Sequence, residues 1–375
     1  MSLYSPKFVN LCLIYELLLL LLLLLLIVVD KGAQGVGVNY GLLGDNLPDP
    51  DAVVGLLKSR NITKVRIFEP NTEVLKALEG SNIEVVVGVR NEDLQLLASD
   101  PNSATAWVDT SVKPHVPAVK FRYVVAGNEV ISGPLAKFVH GAMSNLDRAL
   151  KGANISVPVS TAVSYDVMGV SYPPSNGSFS DTHLEVMGSI VSFLEQNGSP
   201  ILANVYPYFT YVNDPENVHL DYVLGTSLDV VLTDGPLNYK MLIDAMLDAM
   251  YVALEKMGGT SVRIVVSESG WPSAGNGDFA TIANAQTYVN NLIAHVSSGL
   301  GTPMRPGNVT ETYVFALFNE DLKPAGTEQN FGLLYPNMTQ VYPVKFFSWK
   351  CNLRVVVVLI LLIVLWFSSL SALIS

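Results

Sequence analysis

Hydrophobic positions along this chain fall into two recurring kinds of segment. Short continuous apolar runs rich in Val and Ile cover residues 36–40, 64–68, 84–89, 121–126, 157–163, 201–206, 262–266 and 313–318. Runs that do not alternate polar and apolar read as strands buried on both faces, the habit of parallel sheets. Between them lie stretches of helical period. In the clearest, over residues 239–257, Leu242, Ala245, Met246, Ala249, Met250, Ala253 and Leu254 share one face and Gly258-Gly259 marks the stop. That Met-rich stripe is read as core packing. Eight strands alternating with helices over about 310 residues predict fold class α/β, a single (β/α)8 TIM barrel. A doubly wound sheet competes, but no Gly-rich phosphate loop follows the first run. A further strand-like run at 228–232 is expected as an insertion after the sixth barrel strand. No Pro/Ser-rich linker or internal repeat divides the body.

The two ends break this rhythm. Residues 17–29 are an unbroken apolar run preceded by Lys7, with small residues at Ala33 and Gly35, so residues 1–35 are expected to be a signal peptide. An uncleaved signal anchor over residues 11–29 is the competing reading. Residues 355–374 are mostly Val, Leu and Ile, flanked by Lys350 and Arg354. The 347–375 tail fits a membrane helix, a GPI-attachment signal or a removed extension. The bulky stretch before it offers no clean small-residue triplet. The domain division is therefore leader 1–35, barrel 36–346 and tail 347–375.

Two of the apolar runs end on a carboxylate, Gly127-Asn128-Glu129 and Ser267-Glu268-Ser269. A lone buried charge costs several kcal/mol, so two of them suggest acids that meet in one cleft. Paired carboxylates with separated pKa values are what glycosidic cleavage requires. In a barrel, active residues stand at the C-terminal ends of strands. On that placement Glu129 ends strand four, Glu268 strand seven and Glu320 strand eight, all at one mouth. Any one of them alone could be a solvated loop start; three in a chain with 15% charged residues are harder to dismiss. Asn128 can donate to a sugar hydroxyl beside the reacting carbon, and Lys323 can pair with Glu320. Tyr40, Phe68, Tyr206, Tyr208, Phe209 and Trp271 cluster near the same strand ends, where rings stack on apolar sugar faces. Tyr206-Pro207-Tyr208-Phe209 is the strongest cleft candidate, since a Pro-containing strand exit is expected to place its rings in a loop.

Composition narrows the alternatives. A formal net charge of -11 argues against nucleic acid and anionic headgroups as partners and favours a neutral ligand. His115, His140, His183, His219 and His295 show no paired-ligand spacing, so no metal site is expected. No Gly-X-Ser-X-Gly elbow or Walker loop is present, and no cofactor is expected. The two cysteines, Cys12 and Cys351, lie outside the body, which excludes a catalytic thiol there. Six Asn-X-Ser/Thr acceptors, Asn61, Asn154, Asn176, Asn197, Asn308 and Asn337, point to the secretory pathway.

Several motifs stand in one order: Gly37-Val38-Asn39-Tyr40-Gly41, Val125-Ala126-Gly127-Asn128-Glu129, Val265-Val266-Ser267-Glu268-Ser269-Gly270-Trp271-Pro272-Ser273, Ala316-Leu317-Phe318-Asn319-Glu320 and Glu328-Gln329-Asn330-Phe331-Gly332-Leu333. Together they resemble plant endo-1,3-β-glucanases of glycoside hydrolase family 17, over essentially all of residues 36–346. The Ser-Glu-Ser-Gly-Trp-Pro run is highly specific. The resemblance implies retaining hydrolysis of 1,3-β-glucan, with carboxyl groups about 5–5.5 Å apart. It implies Glu129 as general acid/base, Glu268 as nucleophile, and Glu320, Lys323 and Glu328 as auxiliary residues. The substrate-binding set is then Tyr40, Asn128, Tyr206, Tyr208, Phe209, Trp271 and Phe331. Phe68-Glu69 departs from the Tyr-Asp common in the family, and no Cys-rich carbohydrate-binding module follows the barrel. Mixed-linkage 1,3;1,4-β-glucan hydrolysis and a membrane-attached glucan-binding protein with little turnover are the alternatives. A monomer is expected at the cell wall or, through the tail, at the outer face of the plasma membrane.

Overall fold

The computed structural model describes residues 36–346, so the expected signal segment and hydrophobic tail lie outside the described residues. Eight strands form the barrel: Val36–Asn39 (β1), Lys64–Ile67 (β2), Glu84–Val89 (β3), Lys120–Asn128 (β4), Val159–Ser164 (β5), Ile201–Asn204 (β6), Ile264–Ser269 (β7) and Thr312–Val314 (β8). Each pairs in parallel with its chain neighbours, and β8 closes onto β1. The predicted order and number of strands therefore hold. Boundaries moved most at β8, which stops well short of Phe318, and at the Met-rich helix, which spans Leu242–Lys256. Tyr239 falls outside that helix, in a hairpin of Leu232–Asp234 with Leu237–Tyr239; the hairpin does follow β6, but the strand expected at 228–232 begins only at Leu232. A second small hairpin, Met168–Val170 with Ser178–Phe179, had no clear sequence signal.

Continuous apolar strands make sense once both faces are accounted for. Outward residues such as Val38, Val65, Ile67, Val87, Val124 and Val266 pack under the helices in the large core. Inward residues Val86, Tyr123, Val125, Ala162, Leu202, Val265 and Tyr313 form a separate cluster inside the barrel. Side chains fill the interior of an eight-stranded barrel rather than leave a pore.

Below that apolar layer, at the N-terminal ends of the strands, sits an ionic floor. Glu311 accepts from Arg122 Nε and Nη2 at 2.5 Å each and from the Tyr313 hydroxyl at 2.8 Å, with Lys64 Nζ at 3.5 Å. Arg122 Nη1 also reaches both oxygens of Glu84 at 3.1 Å. One buried carboxylate thereby ties β2, β4 and β8, and Arg122 extends the link to Glu84 on β3. Burial alone would raise the Glu311 pKa, but the Arg122 hydrogen bonds and the Lys64 and Arg122 charges outweigh it and hold the group below the usual carboxylate range.

A depressed folded-state pKa means the unfolded chain binds more protons, so this stabilisation is present above the unfolded value and lost as pH falls through the folded one. Glu311→Ala leaves Arg122 without its main partner and is expected to cost ~3 kcal/mol near neutral pH. The loss should shrink in acid below the usual carboxylate range. Denaturant unfolding of both proteins at the two pH values checks this, and an equal loss at both would contradict the ionic role.

Candidate active site

At the opposite end of the barrel, two irregularities in strand register aim the carboxylates. In β7, Val265 pairs with Leu202 and Val266 with Ala203, after which the register shifts and Glu268 stands opposite Asn204. Strict alternation from the inward Val265 would turn Glu268 outward; the bulge turns it to the interior instead. In β4 the register shifts between Val125 and Asn128, so that Asn128 stands opposite the inward Ala162. Gly127 at φ 83° and Glu129 at φ 55° complete this kink, and Glu129 N donates to Ala162 O at 2.9 Å. A left-handed φ at a glutamate is rare and persists where its surroundings enforce it.

The two acids meet through a buried network. Arg66, 1% exposed, donates from Nη1 to Glu268 Oε1 at 2.8 Å, to Ser267 O at 3.1 Å and to Asn204 Oδ1 at 3.3 Å. Its Nη2 donates to Asn128 Oδ1 at 2.7 Å. Asn204 Nδ2 donates to Glu129 Oε1 at 2.8 Å and to Asn128 Oδ1 at 3.1 Å. Ser267 Oγ fixes the Asn204 amide by donating to its Oδ1 at 2.7 Å. The second Glu268 oxygen accepts from the Tyr206 hydroxyl at 2.7 Å. With its carbonyl oxygen committed twice, the Asn128 amide keeps its Nδ2 donors for a ligand.

The environments of the acids differ. Glu268 is 5% exposed and receives a donor on each oxygen. Glu129 opens to solvent at the mouth. Desolvation raises its pKa, and the nearby Glu268 charge raises it further, against the opposing Asn204 hydrogen bond and Arg66 charge. One carboxyl inclined to hold its proton beside another that accepts only hydrogen bonds is a division into acid and nucleophile.

The aromatic candidates separate into two groups. Tyr206 touches Glu268 directly and contacts Phe315, Phe331 and Phe209 edge-on; Phe68 packs on Phe315 and under the Arg66 guanidinium, 4.7 Å from its ring centre. Phe209 is 42% exposed and free to meet a ligand. Tyr208 and Trp271, by contrast, are fully buried and packed edge-on at 5.0 Å, and the Trp271 indole donates to Phe279 O at 2.8 Å. The expectation of a loop after β6 fails because Pro207 starts a helix, Pro207–Asn213, which turns Tyr208 into the core. Tyr40 is likewise buried, edge-on to Phe318. Phe331 is buried behind Tyr206 and shapes the wall from behind. These four rings support the cleft rather than line it.

Glu320 does not end β8. It lies beyond it in the following loop, 3% exposed, with Lys323 Nζ at 3.3 Å and Leu43 N donating to its Oε1 at 2.8 Å. It thus pins the loop after β1. A Cβ on Gly41 would fall 2.3 Å from Glu320 Oε1, so the glycine lets the carboxylate in. Lys323 Nζ also stands 4.2 Å from the Phe315 ring centre, linking Glu320 to the aromatic wall. Glu328, half-buried in the Thr327–Asn330 turn, makes no hydrogen bond or ion pair to the described residues. Arg66 and Asn204 were missed as site residues. Their signal was the one used for the glutamates: a polar group inside an apolar strand run.

A strained carboxyl acid and a doubly held carboxylate at the mouth of a (β/α)8 barrel define a glycoside hydrolase. The chain belongs to glycosyl hydrolases family 17, whose match covers residues 36–346. A glucan endo-1,3-beta-glucosidase of Vitis vinifera is 48% identical over 322 residues, 84% of this chain and 92% of that protein. Among solved structures, a beta-1,3-glucanase and allergen of Cryptomeria japonica pollen is similar at TM-score 0.82 and 48% identity, over 84% of this chain and 99% of that one. A structure from a study of two plant beta-glucan endohydrolases with distinct substrate specificities follows at TM-score 0.79 and 44% identity, over 82% of this chain and 99% of its own.

The network makes Arg66 and Tyr206 positioning residues for Glu268. A hydrogen bond to a charged group is worth roughly 1.5–3 kcal/mol, so Tyr206→Phe is expected to lower kcat ~10-fold or more. Arg66→Lys loses the fork that joins Glu268 to Asn128 and is expected to lower kcat further, with a smaller change in KM. Steady-state kinetics on the polysaccharide check both; an unchanged kcat in Arg66→Lys would remove the guanidinium from the mechanism.

Proposed function

We propose that this protein cleaves internal 1,3-β-glucosidic linkages of neutral, callose-type glucans with retention of configuration. Glu268 attacks the anomeric carbon while Glu129 passes its proton to the departing glycosidic oxygen, giving a glycosyl ester on Glu268 and a free sugar hydroxyl. Esterification removes the Glu268 charge that helped to raise Glu129. With its pKa lowered by that loss, Glu129 stays ionised after giving up its proton; its carboxylate then takes a proton from the attacking water, and the ester breaks to release the sugar and regenerate both groups. The observation that carries this reading is the Asn204–Arg66 bridge, which presents the two carboxylates to one site with unequal surroundings. The names of the Vitis vinifera and Cryptomeria japonica relatives support the 1,3-β linkage.

Asn128 Nδ2 is assigned to a hydroxyl of the sugar at the point of cleavage, where such bonds strengthen in the transition state. Phe209 is assigned to ring stacking. Export to the cell wall or outer membrane face belongs to the same proposal, supported by the leader and the six glycosylation acceptors. Mixed-linkage 1,3;1,4-β-glucan hydrolysis is the second reading, because one similar structure comes from a pair of endohydrolases with distinct specificities.

Purified enzyme should release oligosaccharides from linear 1,3-β-glucan, with the β-anomer formed first by NMR. Faster release from the mixed-linkage polymer would favour the second reading, and an α-anomer first would overturn the mechanism. Glu129→Gln should lower kcat/KM by roughly 10²–10⁴. Since Glu129 must be protonated to donate, wild-type kcat/KM should fall as pH rises through its raised pKa. That basic limb should vanish in Glu129→Gln, and its persistence would assign the acid elsewhere.

A further inference from the structure

The six glycosylation acceptors are not spread evenly over the barrel. Asn61, Asn154 and Asn308 each sit in the connection leading into a strand: β2 begins at Lys64, β5 at Val159 and β8 at Thr312. Connections into strands lie at the N-terminal face of a barrel, while Glu129 and Glu268 occupy the C-terminal mouth. All three asparagines are exposed, and their side-chain amides make no hydrogen bond to the described residues. The bland account is turn geometry, because Asn61 and Asn154 have φ of 53° and 57° and asparagine tolerates that region. Turn geometry accounts for the asparagines and not for the hydroxyls two positions on. Thr63 and Ser156 are exposed, Thr310 is half-buried, and none of the three hydroxyls bonds to anything among the described residues.

The other acceptors differ. Asn197 also precedes a strand, but its amide is engaged: Nδ2 donates to Phe193 O at 2.9 Å and Oδ1 accepts from Lys151 Nζ at 3.0 Å. Asn337 uses Oδ1 to accept from the hydroxyl of its own Thr339 at 2.6 Å. Asn176 lies in the hairpin segment that follows β5.

We propose that Asn61, Asn154 and Asn308 carry N-linked glycans, forming a sugar coat on the barrel base that leaves the mouth open to a polymeric substrate. N-glycans are bulky and solubilising, so three around the base would keep that face in water while the opposite face engages the wall polymer. The proposal rests on the export reading above.

The full chain is expressed in plant cells and recovered from the medium or the cell surface. Peptides are then deglycosylated enzymatically in heavy-oxygen water, which leaves labelled aspartate at each formerly occupied asparagine. Label is expected at all three basal positions. Thr63→Ala, Ser156→Ala and Thr310→Ala, which keep the asparagines and hence the turns, should each remove one glycan from the intact mass. The triple variant should cleave linear 1,3-β-glucan with kcat/KM within about twofold of the parent. Exported protein unlabelled at these positions overturns the proposal alone. Protein confined to the cytosol and unlabelled overturns it together with the export reading. A change in kcat/KM above about tenfold for the triple variant would show that the base is not remote from function.

Discussion

Burying the Arg66 guanidinium at the top of an apolar barrel is tolerable only if acceptors surround it, because an unpaired charge there costs several kcal/mol. The groups that meet this demand are Glu268 Oε1, Ser267 O, Asn204 Oδ1 and Asn128 Oδ1, drawn from β4, β6 and β7. The cation on β2 thus dictates where four residues of three other strands must stand. Glu129 is then placed by Asn204, one hydrogen bond away from the same cation. Substrate chemistry and fold energetics converge on one side chain: the groups that accept from the two terminal Arg66 nitrogens also present the nucleophile and the sugar-facing amide.

That arrangement also needs the two bulges. A regular strand has a period of two, and a residue is turned either in or out by its register alone. Glu268 lies three positions beyond the inward Val265, so a regular β7 would turn it toward the helices. The shift between Val266 and Glu268 corrects this locally and leaves the buried Val266 under the helices. In β4 the kink through Gly127 brings both Asn128 and Glu129 to the mouth, which alternation forbids for consecutive residues. Backbone irregularity is concentrated where the chemistry is, while the ladders below remain regular in all but a few places.

The barrel therefore divides along its axis. Its floor is an ionic lock in which Glu311 gathers Arg122, Lys64 and two tyrosine hydroxyls, its middle is apolar, and its top is polar and partly open. Charges at the floor are neutralised within the protein and serve cohesion. At the top the carboxyls are left unequal, with Glu129 open to solvent at the mouth. The same two ends differ in their surface: connections at the base carry glycosylation acceptors, whereas segments at the mouth hold the small hairpins and carry the exposed Phe209.

Much of this was legible in the chain. Continuous apolar runs announce strands covered on both faces, and their number and alternation with helical segments lead to the barrel, because hydrophobic period is a local property. A glutamate closing such a run is equally local, so Glu129 and Glu268 could be singled out by charge alone, and their motifs reached the family. What periodicity could not decide was direction. Whether a ring faces cleft or core depends on the neighbours it meets, and so Tyr208 and Trp271 went to the core once Pro207 began a helix. Glu320 found its place through a contact with Leu43 some 277 positions away. Arg66 and Asn204 became site residues only when closure of the barrel set β2 and β6 across from one another. The sequence by itself determined the elements and the reacting groups; the tertiary structure decided which side chains converge, because convergence across a closed barrel depends on register and closure, and neither is written in any single segment.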